Sequence, residues 1–290
     1  MPRSVLPRTC PLFPLVLLAL IHSTSANAQD KSPAERPHTA APNVTVLAQK
    51  LVMPGLGRER TLRLYLPPSY AASPGKRYPV LYMHDAQNLF DDATSFAGEW
   101  GVDETLNELA RKEGLEVIVV GIDNGAEKRT SELIPFPSPA APKPEGESYL
   151  RFVVEVVKPY IDTHYRSLPD RDHTAIMGSS LGGLISHAAL LKHPQVFGRI
   201  GAFSPSYWAN LRMFDEVALA PTPPGTRIYL YAGVDEGEQM VGDAVRMASY
   251  LRQGNPELSM ELRVIAGAKH NEAAWRSEFP RAVRWLLASP

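Results

Sequence analysis

Hydrophobic and polar positions follow two patterns along the chain, one typical of buried strands and one typical of helices. Short apolar runs predict strands at residues 78–83, 115–122, 174–177, 200–203, 227–232 and 260–265. Apolar positions at helical spacing predict helices at residues 102–112, 149–161, 181–192, 241–252 and 273–287. Because strands and helices alternate, the pattern predicts an α/β fold with a mostly parallel central sheet and helices on both faces.

Two further strand patterns precede this alternation, at residues 44–52 and 60–66. Between them lie residues 54–57, with the sequence Pro-Gly-Leu-Gly, which is typical of a turn between paired strands. The two glycines do not begin a G-x-G-x-x-G phosphate loop, and no helical pattern follows them. The sequence therefore predicts an antiparallel hairpin at the N-terminal side of the sheet.

The first residues have the features of a secretory signal peptide. Arg3 and Arg8 precede an apolar run, and Ala26-Asn27-Ala28 gives a small-residue cleavage pattern. The apolar run covers about half of the ~20 residues that a membrane-spanning helix needs. We therefore expect removal of residues 1–28 and a periplasmic or secreted protein.

Residues 29–43 are Pro, Ala and polar residues without periodicity, and they predict a disordered lead-in. The remaining residues, 44–290, have the length and apolar content of one α/β domain with a substantial core.

Composition narrows the class of partner. Loss of residues 1–28 would remove the only cysteine, Cys10, and with it any disulfide or thiolate chemistry. The formal charge would move from −1 to −3, which does not favour nucleic acid or an anionic membrane. The histidine spacing matches no metal motif, so the sequence predicts no metal and no cofactor. A small-molecule partner is expected.

The strand at residues 174–177 leads directly into residues 178–182, with the sequence Gly-Ser-Ser-Leu-Gly, and then into a helix. Strand, tight turn and helix are the context of the G-x-S-x-G nucleophile elbow. Ser180 is then the predicted nucleophile, beside a helix start whose N–H groups favour a developing anion. The alternative interpretation is a plain Gly/Ser turn.

Candidates for a base and an acid follow the last two strands. His270 comes after the last strand, and Asp235, Glu236 and Glu238 come after the strand before it. Ligands bind at the carboxyl ends of strands in such sheets, and the order Ser, acid, His is that of α/β-hydrolases. The sequence therefore predicts a catalytic triad.

The chain resembles the esterase family of α/β-hydrolases that includes ferric enterobactin esterases, feruloyl esterases, S-formylglutathione hydrolase and the antigen 85 mycolyltransferases. The likeness runs over nearly the whole chain after the signal peptide. It is carried by residues 82–91 (YMHDAQNLFD), 121–125, 129, 132, 158–162, 178–183, 204–208 and 270–275. The resemblance implies the α/β-hydrolase fold and a triad acid at Glu236, with Asp235 as the alternative.

The same resemblance implies an oxyanion hole formed by the backbone N–H groups of Leu181 and Gln87. Ala86 stands where the family usually has glycine, and its methyl group could narrow the acyl pocket.

Four residues are candidates for substrate contact by this resemblance: Asp85, Asn124, Arg129 and Trp208. Arg129 either binds an anionic or phenolic part of the substrate or pairs with a nearby carboxylate such as Glu132. Trp208 either lines a pocket or is plain packing.

These features together predict an exported serine carboxylesterase that hydrolyses small or aryl carboxylic esters through an acyl-enzyme. The alternative is a siderophore (catecholate trilactone) esterase or a feruloyl or acetyl sugar esterase. A second alternative is an acyltransferase of the mycolyltransferase type. A non-enzymatic binding module fits poorly, because no member of the triad has been lost.

Overall fold

The computed structural model describes residues 36–287, whose main feature is an eight-stranded mixed sheet. The strand order is β1-β4-β6-β5-β7-β8-β9-β10. The strands are β1 (Val44–Val46), β2 (Leu51–Met53), β3 (Arg58–Arg60), β4 (Leu62–Tyr65), β5 (Val80–His84), β6 (Ile118–Ile122), β7 (Thr174–Ser179), β8 (Arg199–Phe203), β9 (Arg227–Gly233) and β10 (Ser259–Ile265). Strand β4 is antiparallel to both neighbours, and β5 to β10 run parallel within the sheet.

Helices cover both faces of the sheet. They are α1 (Val102–Glu113), α2 (Arg129–Leu133), α3 (Gly146–Phe152), α4 (Lys158–His164), α5 (Leu181–Lys192), α6 (Arg212–Leu219), α7 (Glu238–Gly254) and α8 (Glu272–Leu287). One apolar cluster packs α3 to α7 on one face, and a second packs α1 and α8 on the other. Side chains alternate between the faces, so Tyr82 joins the first cluster and Leu81 and Met83 join the second. The predicted fold class is confirmed.

The predicted hairpin is present and smaller than expected. Strands β2 and β3 pair antiparallel, with Leu51 opposite Arg60. Gly55 and Gly57 in the turn have φ values of 78° and 60°, which glycine adopts without strain. Each of the two predicted strands is divided into two shorter strands. The inner two, β2 and β3, form the hairpin, and the outer two, β1 and β4, pair at the edge of the main sheet.

The sequence did not predict α6, which is eight residues long. Its buried side chains are Met213, Phe214 and Val217, and the rest of the helix is polar or exposed. An apolar stripe of this length is too short to distinguish a helix from a loop, so packing against α7 determines the structure here.

The predicted signal peptide and residues 29–35 of the lead-in lie outside the described residues. None of the helices between residues 36 and 287 combines the length and the apolar run that crossing a bilayer requires.

Residues 36–43 of the lead-in are held against the loop that follows β5, in contrast to the expected disorder. Arg36 Nη1 donates to Ser95 Oγ at 2.8 Å, and the Thr39 N–H donates to Asp91 Oδ1 at 3.1 Å. The sequence pattern did not show this because the partners are polar groups far along the chain, and no apolar periodicity marks them.

Buried carboxyl groups lie at the start of α1. Asp103 is fully buried, and its Oδ2 accepts the Ala41 N–H at 2.7 Å. Burial raises the pKa of Asp103 to about 7, and the charge of neighbouring Glu104 adds to the rise. Burial likewise raises the pKa of Glu99 to about 7. In the folded protein these carboxyl groups therefore favour their protonated form below about pH 7.

We expect Asp103→Asn to stabilise the protein at neutral pH. The pKa of Asp103 is higher in the folded protein than in the unfolded chain. Between about pH 4 and about pH 7, the unfolded chain therefore releases a proton that the folded protein keeps. Stability should therefore fall as pH rises from about 4 to about 7. Chemical unfolding should show Asp103→Asn more stable than wild type by about 1–2 kcal/mol at about pH 7.5, and within ~0.5 kcal/mol at about pH 4.5.

Asp215→Asn is the matched control, because Asp215 is exposed and its substitution should change stability by less than ~0.5 kcal/mol. An Asp103→Asn protein that is less stable than wild type at both pH values would contradict this account.

Candidate active site

Six loops that carry chemistry meet at the carboxyl edge of the parallel strands. They contain Asp85 after β5, Asn124 and Arg129 after β6, Ser180 after β7, Ser204 after β8, Glu236 after β9 and His270 after β10. This edge is where doubly wound sheets bind ligands.

Ser180 occupies a strained turn between β7 and α5. Its φ and ψ are 58° and −123°, a region that non-glycine residues rarely adopt. The Ser180 N–H donates to the Phe203 carbonyl at 2.9 Å, and the Ser180 carbonyl accepts the Leu184 N–H at 3.0 Å. These bonds from β8 and α5 hold the backbone in the strained conformation and present the side chain at the end of the sheet.

The glycines around Ser180 are required by close packing. A Cβ on Gly178 would lie 2.8 Å from the carbonyl carbon of Gly182, and a Cβ on Gly183 would lie 2.8 Å from the Phe203 carbonyl oxygen. Atoms at such distances overlap, so α5 can approach β7 and β8 this closely only because Gly178 and Gly183 have no side chain. A plain turn would not need this spacing, and the geometry matches the nucleophile elbow.

Glu236 and His270 are joined by a short hydrogen bond, with 2.5 Å between Oε2 and Nδ1. The Glu236 side chain is 1% exposed, and its Oε1 accepts the Ser204 hydroxyl and the Gly233 N–H, each at 2.7 Å. A carboxylate with donors on both oxygens is fixed in position. Asp235 is exposed, so the structure brings Glu236 and not Asp235 against His270.

Ser204 and Trp275 support this pair, and sequence reasoning assigned no role to either. Trp275 Nε1 donates to Ser204 Oγ at 2.9 Å, so the Ser204 hydroxyl accepts from the indole and donates to Glu236. The rings of His270 and Trp275 meet edge to face at 5.0 Å. The available signal was the position of Ser204 directly after β8, the same strand-end position that identified the other candidates.

Ser180 and His270 line the same cavity, which has a volume of about 740 Å³. Ser180 Oγ is half-buried and lies 3.1 Å from Ser206 Oγ. Among the hydrogen bonds of residues 36–287, none joins Ser180 to His270. Because Nδ1 of His270 is bonded to Glu236, Nε2 is the ring nitrogen left for a proton transfer.

Of the two expected oxyanion donors, Leu181 follows Ser180 directly in the chain, and Gln87 lines the same cavity as Ser180. Leu181 is the first residue of α5, where backbone N–H groups lack intrahelical acceptors. Gln87 lines the cavity from a single 3₁₀ turn, Ala86–Asn88. The expectation that Ala86 narrows the pocket is wrong, because its methyl group is fully buried in the core against Gly121.

Asp85, Arg129 and Asn124 form one cluster on the cavity wall. Arg129 donates through Nε at 2.6 Å and Nη2 at 2.9 Å to the two oxygens of Asp85, and Asn124 Nδ2 donates to Oδ1 at 2.9 Å. Burial alone would raise the pKa of Asp85, but the bonds from Arg129 hold it below its usual value. Arg129 thus pairs with Asp85 and not with Glu132, which pairs with Arg60 at 2.6 Å.

Trp208 lies apart from the other candidates. Its side chain is exposed, and it is not among the residues that line the cavity. In the turn Tyr207–Ala209 the Tyr207 side chain points into the core, which directs Trp208 outward. The aromatic groups that do line the cavity are Trp275 and Phe96.

A family model described as "Putative esterase" matches residues 54–286. The chain is 28% identical over 243 residues to the uncharacterized protein YbbA of Bacillus subtilis (strain 168), covering 78% of this chain and 92% of that one. It is 27% identical over 175 residues to the ferri-bacillibactin esterase BesA of the same organism, covering 54% and 58% of the two chains.

A similar solved structure is that of the enterobactin esterase FES from Shigella flexneri in the presence of enterobactin. Its TM-score is 0.68 at 19% identity, with 84% of this chain and 59% of that chain covered. At this level of identity the likeness is evidence for the fold alone.

We expect Gly183→Ala to destabilise the protein by about 2–4 kcal/mol, because the new methyl group would overlap the Phe203 carbonyl. Gly242→Ala is the matched control on α7, where a Cβ would have nothing within 4 Å. That substitution should stabilise the helix by about 0.5–1 kcal/mol. Urea unfolding of both variants measures the difference, and equal stabilities would contradict the packing argument.

Proposed function

Since the chain belongs to the family described as "Putative esterase" and is a hydrolase of carboxylic esters, we propose that it is a serine esterase whose triad is Ser180, His270 and Glu236. One observation carries the proposal: the buried Glu236 carboxylate bonds to His270 at the cavity that Ser180 lines. A base oriented by a third group beside a strained serine is the arrangement that activates a hydroxyl nucleophile.

Acylation begins when Ser180 Oγ attacks the ester carbonyl. Neutral His270 takes the hydroxyl proton on Nε2, while Glu236 holds the imidazole tautomer and stabilises the imidazolium that forms. The serine side chain first turns away from Ser206, its partner at 3.1 Å, and toward the histidine. Such catalytic hydrogen bonds commonly form only in the substrate complex.

The backbone N–H groups of Leu181 and Gln87 receive the oxyanion, and a donor of this kind contributes ~3 kcal/mol to transition-state stabilisation. His270 then protonates the leaving alkoxide, which departs as an alcohol. A water molecule, activated by the same histidine, attacks the acyl-serine and releases the carboxylic acid.

Small or aryl esters are the proposed substrates. The cavity volume of about 740 Å³ suits a substrate of one or two rings, and Trp275 and Phe96 supply aromatic contact. Asn124 and Arg129 line the same wall and are the proposed polar contacts. The likeness to BesA favours one specific alternative, a siderophore ester. Feruloyl and acetyl sugar esters remain alternatives from the family resemblance.

Export to the periplasm or beyond the cell is part of the proposal. It is supported by Arg3 and Arg8 ahead of the apolar run and by the Ala26-Asn27-Ala28 pattern.

We expect Ser180→Ala to lower kcat for phenyl acetate by about 10⁴-fold or more, because the acyl-enzyme can no longer form. Circular dichroism and thermal unfolding should match the wild type, since among the residues that the structure describes the hydroxyl group bonds to Ser206 alone. Retained turnover in the purified variant would refute the assignment of Ser180 as the nucleophile.

A matched pair of variants tests the acid. Glu236→Gln should lower kcat by about 10²- to 10⁴-fold, because the amide cannot stabilise the imidazolium. Asp235→Asn should leave kcat within about two-fold, since this neighbouring side chain is exposed. Steady-state kinetics on phenyl acetate gives both values, and the reverse order of effects would assign the role to Asp235.

A further inference from the structure

Four ionisable side chains line the cavity: Asp85, Arg129, His270 and Glu272. The charges of Asp85 and Arg129 offset each other through two hydrogen bonds, at 2.6 Å and 2.9 Å. Among the ion pairs of residues 36–287, none includes Glu272. Of the two carboxyl groups in this lining, Glu272 is therefore the one without an ion pair, and it lies beside the catalytic histidine.

Glu272 is the first residue of α8 and lies two positions after His270. It is only 7% exposed, and Asn88 Nδ2 donates to its Oε1 at 3.2 Å. Burial raises the pKa of its carboxyl group and the charge of Asp85 adds to the rise, while its backbone hydrogen bond and the charges of His270 and Arg129 act in the opposite direction. A second anion placed here would meet a partly desolvated carboxylate, and the arginine on this wall, Arg129, already pairs with Asp85, so the placement is costly.

The rest of the polar lining is uncharged. It includes the amide and hydroxyl groups of Gln87, Asn88, Asn124 and Thr94, none of which adds a positive charge that would attract an anion. Phe96 is 86% exposed at the cavity and offers a ring face. Its backbone N–H donates to Asn88 Oδ1 at 3.0 Å, so the same asparagine that bonds to Glu272 also positions this loop.

We propose that Glu272 is a specificity-determining residue that excludes anionic esters, so that the substrate is an uncharged ester. This inference depends on the proposed function, since it assigns the cavity to the ester substrate. Within the alternatives above, it favours neutral aryl or sugar esters and a metal-free trilactone. It disfavours a ferric tris-catecholate complex, which carries a net negative charge.

Two isosteric pairs of esters test the proposal, each with a carboxylate in one member and a carboxamide in the other. The carboxylate or carboxamide lies on the alcohol side of the ester in 4-acetoxybenzoate and 4-acetoxybenzamide. It lies on the acyl side in monophenyl terephthalate and phenyl 4-carbamoylbenzoate. The measured quantity is the ratio of kcat/KM for the anionic ester to that for the neutral one. Assays run at about pH 8, where carboxyl groups are normally ionised.

The decisive variant is Glu272→Gln, which removes the charge and keeps an oxygen acceptor for Asn88. For at least one pair, we expect it to raise the anionic-to-neutral ratio at least about five-fold over wild type. Comparing the ratio between the two proteins cancels the different intrinsic reactivities of the esters. Glu257→Gln is the matched control, because it removes an exposed charge outside the cavity and should leave both ratios unchanged.

Unchanged ratios in Glu272→Gln, with both pairs hydrolysed, would overturn the inference and leave the proposed function standing. Absence of any Ser180-dependent hydrolysis by the wild type would instead overturn the proposed function, and this inference with it. If Glu272→Gln does not fold, Glu272→Ser, which also removes the charge and keeps an oxygen acceptor, is assayed on the same two pairs of esters. We then expect the same rise in the anionic-to-neutral ratio, and a ratio equal to that of the wild type would overturn the inference.

Discussion

The hydrogen bond between buried Glu236 and His270 is the interaction on which the rest of the site depends. A carboxylate in the interior is costly unless donors surround it, and here they come from Ser204 and Gly233. Ser204 is in turn held by Trp275 of α8. The ends of β8 and β9 and the start of α8 must therefore all be in place before the imidazole has a defined orientation.

A second constraint acts at the neighbouring strand end. Ser180 is held at a strained φ of 58° by bonds from β8 and α5, and the glycines beside it let strand and helix approach within van der Waals contact. The fold stores this strain where it presents a hydroxyl group. Because the same strand, β8, supports both Ser180 and Ser204, the proposed nucleophile and the proposed acid are positioned from one element.

The main elements and the candidate triad could be predicted from the sequence because each has a local signature. Apolar runs marked β5 to β10, and Ser180, Glu236 and His270 lie one, three and five residues after the ends of β7, β9 and β10. What the sequence could not give depends on distant partners: the pairing of Arg129 with Asp85, the bonds that hold Arg36, and the direction of the Ala86 methyl group. Such contacts leave no periodicity in the chain, and α6 was missed because its apolar stripe is short.

The most direct measurement of the central claim is labelling with an alkyl fluorophosphonate, followed by peptide mapping by mass spectrometry. This reagent traps a serine only where a base and an oxyanion hole act on it together. The account predicts a single adduct, located on Ser180, and labelling slowed about 100-fold when His270 is replaced by alanine. An adduct on another residue, or labelling of Ser180 at an unchanged rate without His270, would contradict it.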